Sequence, residues 1–255
     1  MRCAEIPSDV LTALSKGHIQ TANLVEWLAI DQSLLFQETL GSAIKVASAK
    51  NLLNVLVHSQ ELSVNAKMRS IGCWFGQHAS EQELASFLHH PSDMVRGWMA
   101  YAWVAKSPEA DINTLLHYLK PFADDGHFSV REVAWMALRP SILNKTLEAL
   151  ESLLPWAHDK AHNLRRFACE ATRPRGVWCA HILLLKQQPE LAEKLLFPLR
   201  HDPEKYVQLS LGNWLNDAAK TRPDWVRQFV STIDTQQPGA ALIVKRALRS
   251  LEQPN

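Results

Sequence analysis

Apolar residues recur along this chain with the three-and-four spacing of amphipathic helices, and the alternation expected of strands is nearly absent. The helical runs are introduced by one repeated phrase, in which a turn rich in Asp, His or Ser leads into an apolar residue, then Arg, then small and aromatic residues. It reads Met68-Arg69-Ser70-Ile71, Val95-Arg96-Gly97-Trp98, Val130-Arg131-Glu132-Val133, Leu164-Arg165-Arg166-Phe167 and, with Gln for Arg, Val207-Gln208-Leu209-Ser210. The apolar leaders stand about 27 to 43 residues apart, which is a helical-solenoid period. The expectation is an all-α helical-repeat solenoid in which each helix pair covers one face of its neighbour and a concave groove stays open as a binding surface.

Punctuation places the elements. Pro7-Ser8-Asp9 starts a short helix over 8–14 and a second spans 23–30. Neither carries the phrase, so residues 1–30 are read as an N-terminal helical cap. Helix pairs are predicted over 31–60, 61–90, 91–122, 127–158, 161–198 and 203–231, with 239–251 closing the C-terminal end of one repeat domain covering 1–255. Pro91, Pro108, Pro140, Pro189, Pro203 and Pro223 stand near the predicted joints, where a missing N–H costs little.

Composition narrows the class. The 255 residues can bury a large core without disulfides, and Cys3, Cys73, Cys169 and Cys179 are irregularly spaced inside mostly apolar runs, as buried thiols of a reducing compartment are. No signal-type core and no membrane-length apolar stretch is present, which points to a cytoplasmic protein with no membrane partner. A formal charge of +1 is not that of a dedicated nucleic-acid binder. Its distribution is uneven, however. Arg131, Arg139, Lys145, Lys160, Arg165, Arg166, Arg173, Arg175 and Lys186 crowd the middle and late repeats, against Glu132, Glu148, Glu151, Asp159 and Glu170. Such a stripe can hold a phosphate backbone, or its members can be solvated helix faces and turn-closing arginines.

There is no Gly-rich phosphate loop, no G-x-S-x-G elbow and no C-x-x-C pair. Cys169, Cys179, His162 and His181 lack the spacing of a structural zinc site, so no metal is expected. One constellation remains. Counted from each repeat's apolar leader, Glu132, Glu170 and Asp217 fall two, six and ten positions in, and steps of four keep a residue near one helical face. Carboxylates on equivalent helices of adjacent repeats would then converge on the concave surface beside Trp135, Trp178 and Trp214. The plainer reading of the same residues is structural: tryptophans as core, Glu beside Arg as inter-repeat ion pairs, and Asn213, Asn216 and Asp217 as ties at a helix end.

The stretch Arg165-Arg166-Phe167-Ala168-Cys169-Glu170-Ala171-Thr172-Arg173-Pro174-Arg175-Gly176-Val177-Trp178 resembles the R-R-x-x-S-E-G-x-R-P-R-x-x-W signature of the bacterial DNA alkylation-repair family, the HEAT-like glycosylases of AlkC and AlkD type. Tyr206-Val207 through Gly212-Asn213-Trp214-Leu215-Asn216-Asp217 to Lys220, Pro223 and Asp224 is similar to the family's Y-V-R-x-S-V-x-N-x-L-N-D-x-x-K-x-x-P-D stretch. The opening Ile6-Pro7 with Leu24-Val25-Glu26-Trp27, and Ile243-Val244-Lys245 near the end, also resemble the AlkC-like branch.

The resemblance implies an all-α, HEAT-like repeat enzyme that excises cationic N3- or N7-alkylated purines such as 3-methyladenine from duplex DNA, without a cofactor or an obligate protein partner. On it, Glu170 and Asp217 match acids at the lesion, with Glu132 as a third candidate. Trp178 matches the aromatic beside the lesion, with Trp135 and Trp214 as further base contacts. Arg131, Arg139, Arg165, Arg166, Arg173, Arg175 and Lys186 are the candidate DNA contacts, and for Arg139, Arg173 and Arg175 the alternative is that they staple repeats together. The AlkC-like pattern has a glutamate four residues before the Arg-Pro of the preceding repeat; that position here is Trp135, with Glu132 about one turn upstream. The usual S-E-G is Cys169-Glu170-Ala171. The alternative from another class is a non-catalytic reader of damaged or branched DNA using the same surface.

Overall fold

The computed structural model describes residues 5–40, 46–58 and 62–252. These form sixteen α-helices and, among the described residues, no strand. In chain order they are α1 Ser8–Ser15, α2 Leu24–Ala29, α3 Gln32–Leu40, α4 Val46–His58, α5 Val64–His78, α6 Glu81–Ser86, α7 Asp93–Lys106, α8 Ile112–Ala123 and α9 Phe128–Asn144. Then follow α10 Thr146–Ala157, α11 His162–Ala171, α12 Leu183–Gln187, α13 Glu193–Leu196, α14 Lys205–Ala219, α15 Pro223–Ser231 and α16 Ala240–Glu252. The chain divides into two compact units, residues 1–110 with 117–137, and residues 111–116 with 138–255.

Local chemistry accounts for the boundaries. Asn23 caps α2 by accepting Glu26 N–H at 3.1 Å, and Ser63 caps α5 by accepting Ala66 N–H at 3.2 Å. Ser80 and Glu83 form a reciprocal capping box at the start of α6. Pro223 opens α15, where its fixed φ is preorganised for a first helical turn. Two predicted features differ. Pro140 lies inside α9 rather than at a joint, and the helix carries on past it to Asn144. The second half of 161–198 is not one helix: after α11 come a non-helical segment 172–182, α12, a 3-10 turn Pro189–Ala192, α13 and a second 3-10 turn Phe197–His201. Pro174, Gly176, Pro189 and Pro198 fall in that stretch, and each interrupts the i to i−4 ladder or favours a turn.

In the first unit, Phe36, Trp74, Phe75 and Trp98 form an aromatic cluster with centroids 5.2 to 6.4 Å apart, edge-on except for Phe75 stacked against Trp98. The α5 glycines Gly72 and Gly76 stand one turn apart where a Cβ would strike the α7 backbone, at Trp98 O for the first and Ala102 O for the second. This close approach needs glycine. Thr21, Asp93, His127 and Ser129 form a buried polar network that ties the chain before α2 to α7 and α9: Asp93 accepts Thr21 N–H at 3.0 Å, Thr21 Oγ1–H at 2.9 Å and Ser129 Oγ–H at 2.5 Å. In the second unit the core runs through Trp156 against Phe167, at 5.0 Å, and Trp214 against Trp225, at 5.9 Å.

Among the described residues no helix is long and apolar enough to cross a membrane. Cys73, Cys169 and Cys179 are free thiols, Cys169 fully buried and the others half-buried; Cys3 lies outside the described residues.

Candidate active site

The arginine of the repeated phrase closes turns, the structural alternative to a phosphate contact that the sequence left open. From the first turn of its helix it folds back onto the loop just before, donating to the carbonyls six and five residues upstream. Arg96 reaches His90 O at 2.6 Å and Pro91 O at 3.2 Å, Arg131 reaches Asp125 O at 2.7 Å and Gly126 O at 3.0 Å, and Arg165 reaches Asp159 O and Lys160 O, both at 2.9 Å. Gln208 keeps the same two contacts, to Asp202 O at 2.9 Å and Pro203 O at 3.3 Å, with an amide in place of a guanidinium. Arg96 and Arg165 also fork onto the aspartate of the following turn, Asp125 and Asp202 respectively. The Asp202 hydrogen bond raises the Arg165 pKa. Arg131 and Arg165, expected on phosphates, therefore spend donors on turn closure.

A second arginine role corrects the DNA-contact expectation outright. Arg139, at 1% exposure, lies beneath the segment 172–182 and donates Nη1 to Ala171 O at 2.7 Å, Nη2 to Arg173 O at 2.7 Å and Nε to Ala180 O at 3.0 Å. Burial pushes its pKa down, and all three nitrogens are consumed by backbone, so it staples both ends of the segment and offers nothing to a ligand. Trp214 is corrected likewise: its ring is fully buried and Nε1–H goes to Thr172 O at 3.0 Å, fixing the start of the same segment. Ile182 N–H closes the segment on Pro174 O at 3.1 Å. Gly176 admits the close approach of Cys179 Sγ.

At the tip of that stapled segment stands Trp178. It is 59% exposed and has φ +62°, the left-handed region that a bulky residue enters only when its surroundings impose it. Val177 and Leu183 are exposed nearby in sequence. Trp135, by contrast, is buried in the first unit and donates Nε1–H to Glu132 Oε2 at 2.8 Å, which corrects its reading as an exposed base contact. A helix-interior tryptophan with its partner one turn back packs inward, whereas one following Pro-Arg-Gly in a turn is held out.

Glu170 and Asp217 do come together, though not as two acids facing open space. Both are buried and they share one guanidinium. Arg173 donates Nη1 to Glu170 Oε1 at 2.6 Å, while its Nε and Nη2 lie 2.9 and 2.8 Å from Asp217 Oδ2. Glu170 Oε2 accepts Ser210 Oγ–H at 2.6 Å and lies 3.5 Å from Arg166 Nη2, and the Arg166 guanidinium also stacks 4.5 Å over Tyr206. Arg166 and Arg173, two of the expected DNA contacts, are thus buried partners of the acids, a correction that follows from their i+3 and i−4 spacing to Glu170. Burial alone would raise the Glu170 carboxyl, but Arg166, Arg173 and the Ser210 hydroxyl outweigh it and hold it below the usual glutamate range. For Asp217 burial wins over Arg173 and Lys220, and its pKa is raised. Burial likewise pushes the Cys169 thiol up to about 12, leaving it inert beside the acids.

Arg175 donates Nε to the Asp217 carbonyl at 3.2 Å, and Lys186 is half-buried on α12. Glu132 lies in the first unit, half-buried, with its carboxylate on Trp135. Ser210 and Thr172 went unnoticed in the sequence. Ser210 had a signal, standing seven residues before Asp217 and so two turns along the same helical face.

Residues 130–251, which include the acids, Arg173 and Trp178, match the family model described as DNA alkylation repair enzyme. Across 124 residues, 49% of this chain, the chain is 33% identical to a Bacillus subtilis (strain 168) protein described only as the uncharacterized protein YhaZ, and it spans about a third (35%) of that protein's length. Among solved structures it is similar to the Pseudomonas fluorescens alkylpurine DNA glycosylase AlkC bound to DNA containing an abasic site analog, with TM-score 0.68 and 24% identity over 85% of this chain and 60% of that one. It is also similar to AlkD2 from Streptococcus mutans, with TM-score 0.60 and 19% identity over 80% of this chain and 99% of that one. At these identities the likeness establishes a shared helical-repeat fold.

Proposed function

We propose that this protein is a DNA glycosylase that releases cationic N3- or N7-alkylated purines from duplex DNA. The observation that carries the reading is the pairing, in one segment of alkylation-repair type, of a preorganised carboxylate cluster with an aromatic ring held exposed in a left-handed backbone. An alkylated purine already bears a positive charge and leaves readily, so the protein must chiefly stabilise an oxocarbenium-like sugar and orient a water. Carboxylates held ionised do both, and an exposed indole face attracts a cationic base by about 0.5–2 kcal/mol. Asp217 and Glu170 are the acids of this reading and Trp178 its base contact. Arg175 and Lys186, joined by the half-buried Arg165, are the DNA contacts of the same unit.

The test is release of 3-methyladenine from methylated duplex DNA above the spontaneous rate. A second reading, a non-catalytic reader of damaged DNA, is favoured by one observation, the burial of Trp135 at the position of a family acid. Binding without base release selects it.

With Arg139 and Arg173 withdrawn from the surface, the protein should engage only ~3–4 phosphates, and log affinity should fall with log salt at a slope of about −3. A titration of duplex binding against salt reads this directly, and a slope near zero removes the electrostatic surface. Trp178→Gly should act in opposite directions on fold and function. Relief of the left-handed strain, less the added chain entropy, should raise unfolding stability by about 0.5–1 kcal/mol, while affinity for lesion-containing duplex falls. Loss of both together would place Trp178 among the packed residues.

A further inference from the structure

We infer that Ser210, Glu170 and Arg173 form a positioning relay that orients Asp217, and that Asp217 Oδ1 is the carboxylate oxygen left to meet the reacting sugar. This rests on the glycosylase reading and divides labour within its site. The assignment comes from counting what each oxygen already does. Glu170 Oε1 takes Arg173 Nη1–H at 2.6 Å, and Glu170 Oε2 takes Ser210 Oγ–H at 2.6 Å with Arg166 Nη2 at 3.5 Å. Both oxygens are therefore committed inside the fold. Asp217 divides differently. Oδ2 receives the Nε and Nη2 edge of Arg173, whereas among the described residues Oδ1 has Lys220 Nζ alone, 3.9 Å away on a half-exposed side chain.

The chain of contacts has a direction. Ser210 and Arg166 fix the Glu170 carboxylate, Glu170 fixes one end of the Arg173 fork, and the other edge of that planar fork fixes Asp217. The Arg173 backbone is held in turn, because its carbonyl accepts Arg139 Nη2–H at 2.7 Å. The Arg173 guanidinium spans α11 and α14, which Ser210 on Glu170 also joins, so a shift of either helix would turn Asp217.

The charges that face Asp217 are Glu170 on α11, Arg173 in the segment after it, Lys220 just past the end of α14, and the more distant Arg139 and His181. Arg246 of α16 is engaged by Asn213 Oδ1 at 3.1 Å. Within this set Glu170 is the negative member, and its charge opposes ionisation of Asp217. Glu170→Gln keeps the shape and removes that charge, so Arg173 acts on Asp217 alone. The Asp217 carboxyl should then ionise at lower pH, by about half a unit or more.

Single-turnover release of 3-methyladenine should be measured from pH 4.5 to 9 for the wild type, Asp217→Asn, Glu170→Gln, Ser210→Ala and Ser210→Thr. Asp217→Asn should lose ~100-fold above the acid limb, with the gap narrowing as the wild-type carboxylate protonates. Glu170→Gln should lose only about tenfold, with its acid limb displaced downward. Ser210→Ala should slow release several-fold without weakening duplex binding, and Ser210→Thr should restore it. Carboxyl-13C titration of labelled aspartate, with Asp217 assigned through Asp217→Asn, reads the same displacement without substrate. Glu170→Gln as inactive as Asp217→Asn would put Glu170 among the reacting groups and overturn the relay. So would an Asp217 titration unmoved by Glu170→Gln. A wild type that releases no base overturns the glycosylase reading and the role of Oδ1, while the titration still decides whether Glu170 and Arg173 set the charge of Asp217.

Discussion

Arg139→Met should lower the unfolding free energy of the second unit by about 2–6 kcal/mol, because two buried carbonyls and a third, part-buried one lose their donor together and each buried unsatisfied group costs about 1–3 kcal/mol. The carbonyls are those of Ala171, Arg173 and Ala180, so the loss is concentrated on the two ends of segment 172–182. Methionine fills most of the volume and removes the cost of burying the guanidinium, which makes the substitution a test of the hydrogen bonds rather than of a cavity. Urea unfolding gives the magnitude, and limited proteolysis should show new cleavage between Thr172 and Ile182. A change under about 1 kcal/mol with no new cleavage would mean that Trp214 on Thr172 and the Ile182-to-Pro174 bond hold the segment unaided.

Much of the fold was legible because helix periodicity and cap residues are local signals. The repeated apolar-Arg phrase marks the starts of α5, α7, α9, α11 and α14, and Ser80 three residues before Glu83 announces α6. The broken second half of 161–198 was legible only in hindsight, since its interruptions depend on several prolines acting in succession. The site was read less well for a different reason. A sequence counts guanidinium groups but does not say where their donors go, and Arg131, Arg139, Arg165, Arg166 and Arg173 all spend donors on turns, backbone or acids. Tryptophans divide similarly. Trp214 sits mid-helix with an acceptor across the core at Thr172, Trp135 turns back onto Glu132, and only Trp178, in a turn after Gly176, stays exposed. The pairing of Glu170 with Asp217 followed from equivalent positions in adjacent repeats. The guanidinium between them did not, because Arg173 lies beyond the end of α11 and reaches Asp217 across 44 residues of sequence.

Arg173→Met should reverse the Glu170 contribution to the pH dependence of stability. In the wild type the Glu170 carboxyl is held below its ordinary value, so its contribution is present above the unfolded glutamate range and fades as pH falls through the lower folded value, while Asp217, already raised by burial, works in the opposite sense. Removing Arg173 leaves two buried carboxylates with Arg166 and Ser210 on one side and a distant Lys220 on the other. Burial then dominates and both folded pKa values rise above their unfolded values, so the native state binds more protons than the unfolded chain. Its stability must fall as pH rises through that window. At pH 7.5 the variant should be about 3–5 kcal/mol less stable than the wild type, the cost of breaking a buried charge pair from one side. Toward pH 4 the carboxyls protonate in the folded variant and the gap should narrow, even as the wild type itself loses the Glu170 contribution. Urea unfolding at both pH values decides the matter. A gap that stays constant would mean that the loss comes from packing of the Arg173 stem, and that the acids are not held charged by this guanidinium.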